Sequence, residues 1–192
     1  MEELSIDVNP ENEKWNAATI EDVVKEVCCL NRLCFPKLHL PEVLLLNKFR
    51  NGLSLINLSW MHFRFIIGNH LKRTISRWPH ESSIKFEEQE SCLKYANGKD
   101  IPIEIKEVLQ HPTTFFSDRH LYATSLSEFG IENIKNLKCC ILQECNEIET
   151  IVNAYAPGKD IVLRSLEYSS LYYMKNFRSI WKGPPPDWCQ TK

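Results

Sequence analysis

The chain is poor in glycine, and its few glycines stand far apart. Six of its 192 residues are glycine, at positions 52, 68, 98, 130, 158 and 183. A phosphate-binding loop needs the pattern G-x-x-x-x-G-K-[ST], and a dinucleotide-binding turn needs G-x-G-x-x-G. Neither pattern can form with this spacing. The sequence therefore excludes both nucleotide-binding loops, and we expect no cofactor in this chain.

Sequence signals for metal binding and membrane insertion are missing too. The eight cysteines include no Cys-x-x-Cys pair, and the histidines lack the spacing of a zinc protease motif. The first residues have neither a basic start nor an apolar segment, and the longest apolar run, 43–46, is too short to span a bilayer. Without a secretory signal, reduced thiols are the expected state. We predict a cytoplasmic protein with no membrane span.

Charge is balanced over the whole chain but uneven along it. The formal net charge is −2, so we expect no nucleic-acid partner. Residues 43–80 contain no Asp or Glu, and they carry six basic residues: Lys48, Arg50, Arg64, Lys72, Arg73 and Arg77. Four glutamates follow within 81–90. The stretch is either a solvated face balanced by its neighbour or a basic patch that docks an acidic partner.

Two segments near the C-terminal end share one pattern. They are Leu137-Lys-Cys-Cys-Ile-Leu-Gln-Glu-Cys145 and Leu166-Glu-Tyr-Ser-Ser-Leu-Tyr-Tyr-Met174. Both fit L-x-x-L-x-L-x-x-N/C, the unit of a leucine-rich repeat. One such unit cannot bury its own apolar face, so it belongs to a stack that usually presents a surface to a partner. The pattern points to binding rather than catalysis.

Further copies of the pattern occur upstream. Units begin at Met1, Phe35 and Trp60, and degenerate units are conceivable around 83–86 and 111–116. Three of the four intervals between the clear units are near the usual period of roughly 20–29 residues. The interval from 60 to 137 is too long for one repeat. We predict a repeat domain over 1–183 with about five to seven irregular repeats, a degenerate or inserted region at 69–110, and a disordered tail at 184–192.

The pattern predicts an α/β repeat fold, an irregular leucine-rich-repeat solenoid. Each x-L-x-L-x stretch becomes a strand of a parallel sheet on the concave side, with both leucines pointing inward. The Asn or Cys ends the strand and bonds backbone groups in the turn. Helices or loops form the convex side. Helical patterns cover Thr19–Cys28, with Thr19 as the N-cap, and the ranges 100–109 and 127–137.

The best candidate sites are the strand positions beside the inward pair, because each repeat brings them to the same point. We predict that a partner binds residues on this concave face, foremost Asp7, His39, His62, Arg64, Gln143 and Tyr172, beside Ser5, Lys37, Ile141 and Ser170. The alternative is that they form only solvated sheet surface.

A catalytic Cys–His pair is the competing interpretation of the thiols. Cys139, Cys140 and Cys145 cluster in sequence, and His111 and His120 lie upstream. However, Cys140 holds an inward slot and Cys145 the strand-ending slot, where cysteine packs as a small apolar residue. The thiol spacing is also wrong for a tetrahedral metal site. We expect neither an enzyme nor a metal centre.

Several segments resemble a known family at more positions than the leucine pattern alone specifies. The ranges 137–152 and 165–181 resemble the C-terminal repeats of plant coiled-coil nucleotide-binding leucine-rich-repeat disease resistance proteins. The ranges 86–95 and 121–130 are similar to the same family. The resemblance covers most of the chain, up to about residue 183. It implies effector sensing and autoinhibition in an intracellular immune receptor, with a pathogen effector or guarded host protein as partner.

The resemblance also implies a nucleotide-binding module that binds ADP or ATP and docks against the repeats. This chain lacks that module, and Ser169 stands where the family has an inward leucine. We therefore expect a fragment without the switch and without capping repeats, which would self-associate through Leu4, Ile6 and Leu171. The rival hypothesis is a leucine-rich-repeat adaptor, such as the substrate arm of a ubiquitin ligase.

Overall fold

A computed structural model of the chain describes residues 3–6, 17–30, 35–46, 62–68, 89, 91–134, 136–153, 163 and 165–183. The helices in these ranges are α1 (Ala17–Cys28), α2 (Ile103–Val108) and α3 (Ile131–Ile134), with a 3₁₀ helix at Leu126–Phe129. The strands are β1 (Glu3–Ile6), β2 (Phe35–Leu40), β3 (Phe63–Ile67), β4 (Ser91–Ala96), β5 (Thr114–Asp118), β6 (Cys139–Gln143), β7 (Thr150–Asn153), β8 (Tyr168–Tyr172) and β9 (Ser179–Lys182).

Seven of these strands form one parallel sheet in chain order. The order is β1-β2-β3-β4-β5-β6-β8, and each neighbouring pair is parallel. Among the described connections, α1 lies between β1 and β2, α2 between β4 and β5, and the 3₁₀ helix and α3 between β5 and β6. Such crossover connections usually contain a helix. The predicted α/β fold with a parallel sheet is therefore confirmed.

One face of the sheet carries the main core. Register partners at the first inward position run from Ile6 through Leu38, Phe65, Leu93 and Phe115 to Cys140 and Ser169. Helical residues pack on this face, among them Val24 and Val27 of α1 and Ile105 and Val108 of α2. Alternation with period two places these side chains on one side of every strand, which is why short strands can build a continuous core.

The predicted helices exist, but their ends differ from the prediction. Helix α1 begins at Ala17, so Thr19 lies inside the helix and the predicted N-cap is wrong. Helix α2 begins later than predicted, after Pro102. The range 127–137 is split because Gly130 has a φ of 100°, outside the helical region. Ser125 caps the preceding 3₁₀ helix through a capping box with Glu128.

The two C-terminal segments pair with a constant offset. Cys139 pairs with Tyr168 in the large sheet, and Thr150 pairs with Ser179 in a second, two-stranded sheet formed by β7 and β9. The Lys175 amide donates to Asn146 Oδ1 at 3.3 Å, again between residues 29 positions apart. The second sheet was not predicted. One offset in all three contacts means that the two segments are structurally equivalent along their whole length.

A recurring turn follows the central strands. The residue after each of β4, β5, β6 and β8 has a left-handed backbone although none is glycine: Asn97 (φ 53°), Arg119 (56°), Glu144 (51°) and Tyr173 (52°). The last residues of these four strands are successive register partners in the sheet: Ala96, Asp118, Gln143 and Tyr172. The amides of Asn97, Arg119 and Glu144 each donate to the next strand, at 2.7, 2.8 and 2.9 Å. The same strained turn is therefore built at equivalent positions along the sheet.

Two of the predicted repeat units were placed in the wrong register. Leu38 pairs with Ile6 and with Phe65, whereas the sequence pattern put Leu4 and Phe63 at that position. A shift by two residues keeps every side chain on the same face, so the pattern could not detect it. Strand β4 lies within the range 69–110, while the conceivable unit at 83–86 and the tail at 184–192 lie outside the described residues.

Candidate functional site

The sheet face opposite the main core, here called the opposite face, carries the candidate site. Its first row consists of Ser5, Lys37, Arg64, Cys92, Thr114, Cys139 and Tyr168. Its second row consists of His39, Ile66, Lys94, Phe116, Ile141 and Ser170. Its third row consists of Ala96, Asp118, Gln143 and Tyr172. The face is buried along β4–β6, and along the flanking strands it is half-buried or exposed except at buried His39.

The predicted partner-binding residues fall in different rows of this face. Gln143 and Tyr172 are direct register partners in the third row. Arg64 lies in the first row beside Lys37, and His39 lies in the second row. The remaining two are half-buried His62, which precedes β3, and Asp7, which lies outside the described residues.

His39 and Gln143 are less exposed than a binding residue usually is. His39 is 7% exposed, and its Nε2 lies 3.3 Å from the Gly68 carbonyl oxygen. Gln143 is buried as well. Arg64 and Tyr172 are half-buried, so they offer the more accessible surface of the predicted set. Whether these residues bind a partner stays a prediction.

A buried charge cluster lies at the centre of the opposite face. Lys94 is 2% exposed, and its Nζ lies 3.7 Å from Asp118 Oδ2 and 4.4 Å from the centre of the Phe116 ring. The Arg119 Nε donates to Asp118 Oδ1 at 3.2 Å. Burial lowers the pKa of Lys94 to about 8, and the nearby Asp118 carboxylate only partly offsets this. Sequence patterns miss such a residue, since a strand lysine ordinarily faces solvent.

The two flanks of the opposite face differ in chemistry. On the β2–β3 side, the Lys37 Nζ lies 4.9 Å from the centre of the Phe35 ring, and Arg64 Nη2 donates to the Gln89 carbonyl at 3.4 Å. On the β8 side, Tyr168 donates to Ser170 Oγ at 3.3 Å. The face therefore runs from a basic flank to a tyrosine-rich flank. The other basic residues of 43–80 lie outside the described residues.

The four cysteines on and after the central strands are buried, whereas Cys29 directly after α1 is exposed; the buried ones are Cys92, Cys139, Cys140 and Cys145. Cys140 and Cys145 are buried in the main core, and burial raises the pKa of both thiols. Burial also raises the pKa of Cys92 to about 12, although Arg64 opposes the shift. A thiol with a raised pKa is a poor nucleophile at neutral pH. Among the described residues, no group of three or more His, Cys, Asp or Glu could hold a metal ion.

His120 occupies the position after β5 that Cys145 occupies after β6. It is 2% exposed, and its backbone amide donates to Cys145 Sγ at 3.4 Å. Its ring Nδ1 accepts from the Ala123 amide at 3.1 Å, so the proton must be on Nε2, which donates to the Asp100 carbonyl at 3.1 Å. Burial lowers the pKa of His120. The neutral ring therefore ties two loops together, and its nitrogens are not directed at a thiol.

A cavity of about 370 Å³ lies beside His120, between the loops that follow β4 and β5. Its lining residues are Lys99, Asp100, Ile101, Lys106, His120, Tyr122, Ala123 and Glu128. In open α/β sheets, ligands bind preferentially at the carboxyl ends of the strands. The repeat pattern did not predict this cavity, because it assigns only strand residues to the binding surface. The sequence feature that could have pointed to the cavity was His120, a histidine directly after the end of a strand.

Comparison with known proteins identifies no relative. No protein-family model matches the chain, and neither a curated protein nor a solved structure is significantly similar to it. Among the described residues, no helix has both the length and the apolar character that crossing a membrane requires.

Proposed function

We propose that the chain is a recognition module with the architecture of an irregular leucine-rich-repeat solenoid. The observation that carries the proposal is the constant offset of 29 residues between the two C-terminal segments in both sheets and in the Asn146 contact. Only a stack of equivalent units brings every part of one segment beside the same part of the next. The equivalent left-handed turns after four strands support the same conclusion.

Within this architecture, the opposite face is the proposed partner-binding surface. Its flanks combine half-buried Arg64 with the half-buried tyrosines Tyr168 and Tyr172. Arginine and tyrosine are the residue types that most often carry the binding energy of protein interfaces. Because the strands stack in order, the row positions follow one another at the strand spacing of about 4.8 Å. Such a surface fits an extended protein partner.

The resemblance stated above adds a biological role to this proposal. We propose effector sensing and autoinhibition in a cytoplasmic plant immune receptor, with the nucleotide-binding module of such a receptor as an intramolecular partner. The chain itself would supply binding and no chemistry.

Co-expression in leaf cells tests this role. The chain is produced in trans with an autoactive nucleotide-binding module of a receptor from this class, and both co-precipitation and suppression of cell death are scored. We expect the wild-type chain to bind and suppress. The Arg64→Ala/Tyr172→Ala variant should lose at least about tenfold in binding, since each truncated hot-spot residue typically costs more than about 1 kcal/mol.

The matched control is Arg178→Ala/Tyr173→Ala, which removes the same two residue types from exposed positions outside the opposite face. This control should behave like wild type. A wild-type chain that neither binds nor suppresses would contradict the receptor role. Equal losses in both variants would contradict the assignment to the opposite face.

A further inference from the structure

The cavity beside His120 is lined by two lysines whose ammonium groups have no charged partner among the residues that the structure describes. Lys99 and Lys106 both line it, and neither side chain has a hydrogen-bond or ion-pair partner among the described residues. By comparison, the ammonium group of the surface residue Lys138 lies 3.9 Å from the Glu167 carboxylate. Two unpaired ammonium groups in one concave site favour a ligand that carries a carboxylate.

The two acidic residues of the cavity differ in how many hydrogen bonds their carboxylates already accept within the protein. Glu128 Oε1 already accepts from the Thr124 amide at 2.9 Å, the Thr124 hydroxyl at 2.7 Å and the Ser125 amide at 3.1 Å. The Asp100 carboxylate makes no hydrogen bond to a described residue. It would repel a bare polyanion, but it can accept an N–H group. A peptide supplies both an N–H donor and a side-chain carboxylate.

The walls of the cavity are fixed before any ligand arrives. The Asp100 carbonyl accepts from the Tyr95 hydroxyl at 3.1 Å and from His120 Nε2 at 3.1 Å. The Leu121 amide donates to the Gly98 carbonyl at 2.8 Å, which joins the same two loops. The Tyr122 side chain is 68% exposed at the rim, where an aromatic ring can pack on a peptide. A preorganised site loses little conformational entropy on binding.

We propose that this cavity binds an acidic peptide segment of a protein partner, with a carboxylate placed between Lys99 and Lys106 and a backbone N–H donated to Asp100. The inference rests on the proposed recognition function and adds a second contact region at the loop edge, away from the opposite face. A volume of about 370 Å³ is near the lower end of known ligand pockets, so a short segment fills it.

Fluorescence polarisation with the intact chain tests this site. The probe is a fluorescein-labelled peptide of alternating glutamate and glycine, compared with the same peptide carrying glutamine. We expect the glutamate peptide to bind at least about tenfold more tightly, with an affinity that falls as salt is added. Lys99→Gln/Lys106→Gln should lower the affinity about tenfold, while Lys99→Arg/Lys106→Arg should largely keep it.

Two control variants make the outcomes distinct. Lys175→Gln/Lys182→Gln removes two exposed lysines elsewhere and should leave binding unchanged. Arg64→Ala/Tyr172→Ala alters the opposite face and should also leave peptide binding unchanged.

The proposal would be overturned if the glutamate and glutamine peptides bound equally well. It would also be overturned if Lys99→Gln/Lys106→Gln and Lys175→Gln/Lys182→Gln lost the same affinity. Loss in Arg64→Ala/Tyr172→Ala alone would place the peptide on the opposite face and keep the proposed function. Competition by inorganic phosphate through Lys99 and Lys106 would assign the cavity to phosphate instead.

Discussion

His120 bonds backbone groups at the turn after β5, the position that Cys145 takes after β6. Its ring accepts one hydrogen bond and donates another, and both partners belong to loops rather than strands. Protonation of Nδ1 would remove the acceptor and leave the Ala123 amide, in a residue that is 1% exposed, without its partner. The neutral form of one histidine therefore holds the turn after β5 in place.

Stability should consequently fall in mild acid. The pKa of His120 is lowered in the folded protein, whereas an unfolded chain binds this proton near pH 6.5. The unfolded state therefore takes up more protons below about pH 6.5, so the contribution of His120 is present above that pH and is lost as the pH falls. We expect a loss of up to about 1 kcal/mol between about pH 7 and pH 5.5, measured by urea unfolding.

His120→Asn should reduce this acid sensitivity, because asparagine does not titrate. His111→Asn is the matched control, since His111 is exposed, and it should keep the wild-type pH dependence. An unchanged slope in His120→Asn would contradict the assigned role.

A second prediction concerns the contribution of the ion pair between Lys94 and Asp118 to the stability of the fold. Asp118→Asn should destabilise the fold by roughly 3 kcal/mol near pH 6.5, where Lys94 is charged and would remain buried without the carboxylate. The cost should be clearly smaller near pH 9. The pKa of Lys94 is lowered to about 8, so above that value the folded lysine is neutral and needs no counter-charge.

The contribution of Lys94 to stability should rise between about pH 8 and 10.4, because the unfolded lysine still binds a proton there and the folded one does not. The buried thiols with raised pKa values act in the opposite direction, so the lysine contribution is obtained by comparison with Lys94→Met. In a Lys94→Met background, the effect of Asp118→Asn should no longer depend on pH. The same pH dependence in that background would show that Lys94 is not the coupled group. Urea unfolding of the four proteins at both pH values measures this.

At the scale of elements, the close approach of neighbouring turns decides which residues are tolerated. Gly68 follows β3 with a φ of 100°, and a Cβ there would lie 2.0 Å from the Ala96 carbonyl oxygen. Gly130 has the same φ, but its Cβ would meet the Asn133 side chain, which can move. Both glycines thus have a positive φ that would strain any substituted residue, but a new side chain would meet different atoms at the two positions.

We expect Gly68→Ala to cost more than about 3 kcal/mol, because both backbone strain and a backbone clash apply. Gly130→Ala should cost less, roughly 1–3 kcal/mol, from the positive φ alone. Thermal unfolding of both variants tests the comparison. Equal losses would mean that strands β3 and β4 are not as close as the register requires.

The sequence predicted some elements much better than others. The leucine pattern located the sheet positions of β2, β6 and β8, because two inward residues and a strand-ending residue recur there. It placed the units at 1 and 60 two residues out of register, since a shift by two does not change the face. The second sheet escaped prediction because Thr150–Asn153 and Ser179–Lys182 are short and carry no leucine pattern. The cavity escaped it because its residues come from separate loops.

At the scale of the whole molecule, burial is concentrated in the middle of the sheet. Strands β4, β5 and β6 are buried on both faces, whereas β1 and β8 are half-buried or exposed. In a stack of repeats, the central units contact two neighbours and the terminal ones fewer. The arrangement combines a buried centre with more accessible flanks, and the flanks hold Arg64 and Tyr172.

The distance between spin labels on separate strands tests the central claim, a parallel stack in chain order, most directly. Labels at Lys37 and Tyr168 occupy the same row, with five inter-strand steps between β2 and β8. Steps of about 4.8 Å predict a separation of about 24 Å between the backbone positions, and moving the first label to Ser5 adds one step and gives about 29 Å. The measurement is pulsed electron–electron double resonance on variants whose other reactive cysteines are replaced by serine. An increase of about one strand spacing between the two pairs is the predicted result. Equal distances, or a shorter one for the Ser5 pair, would contradict the stack.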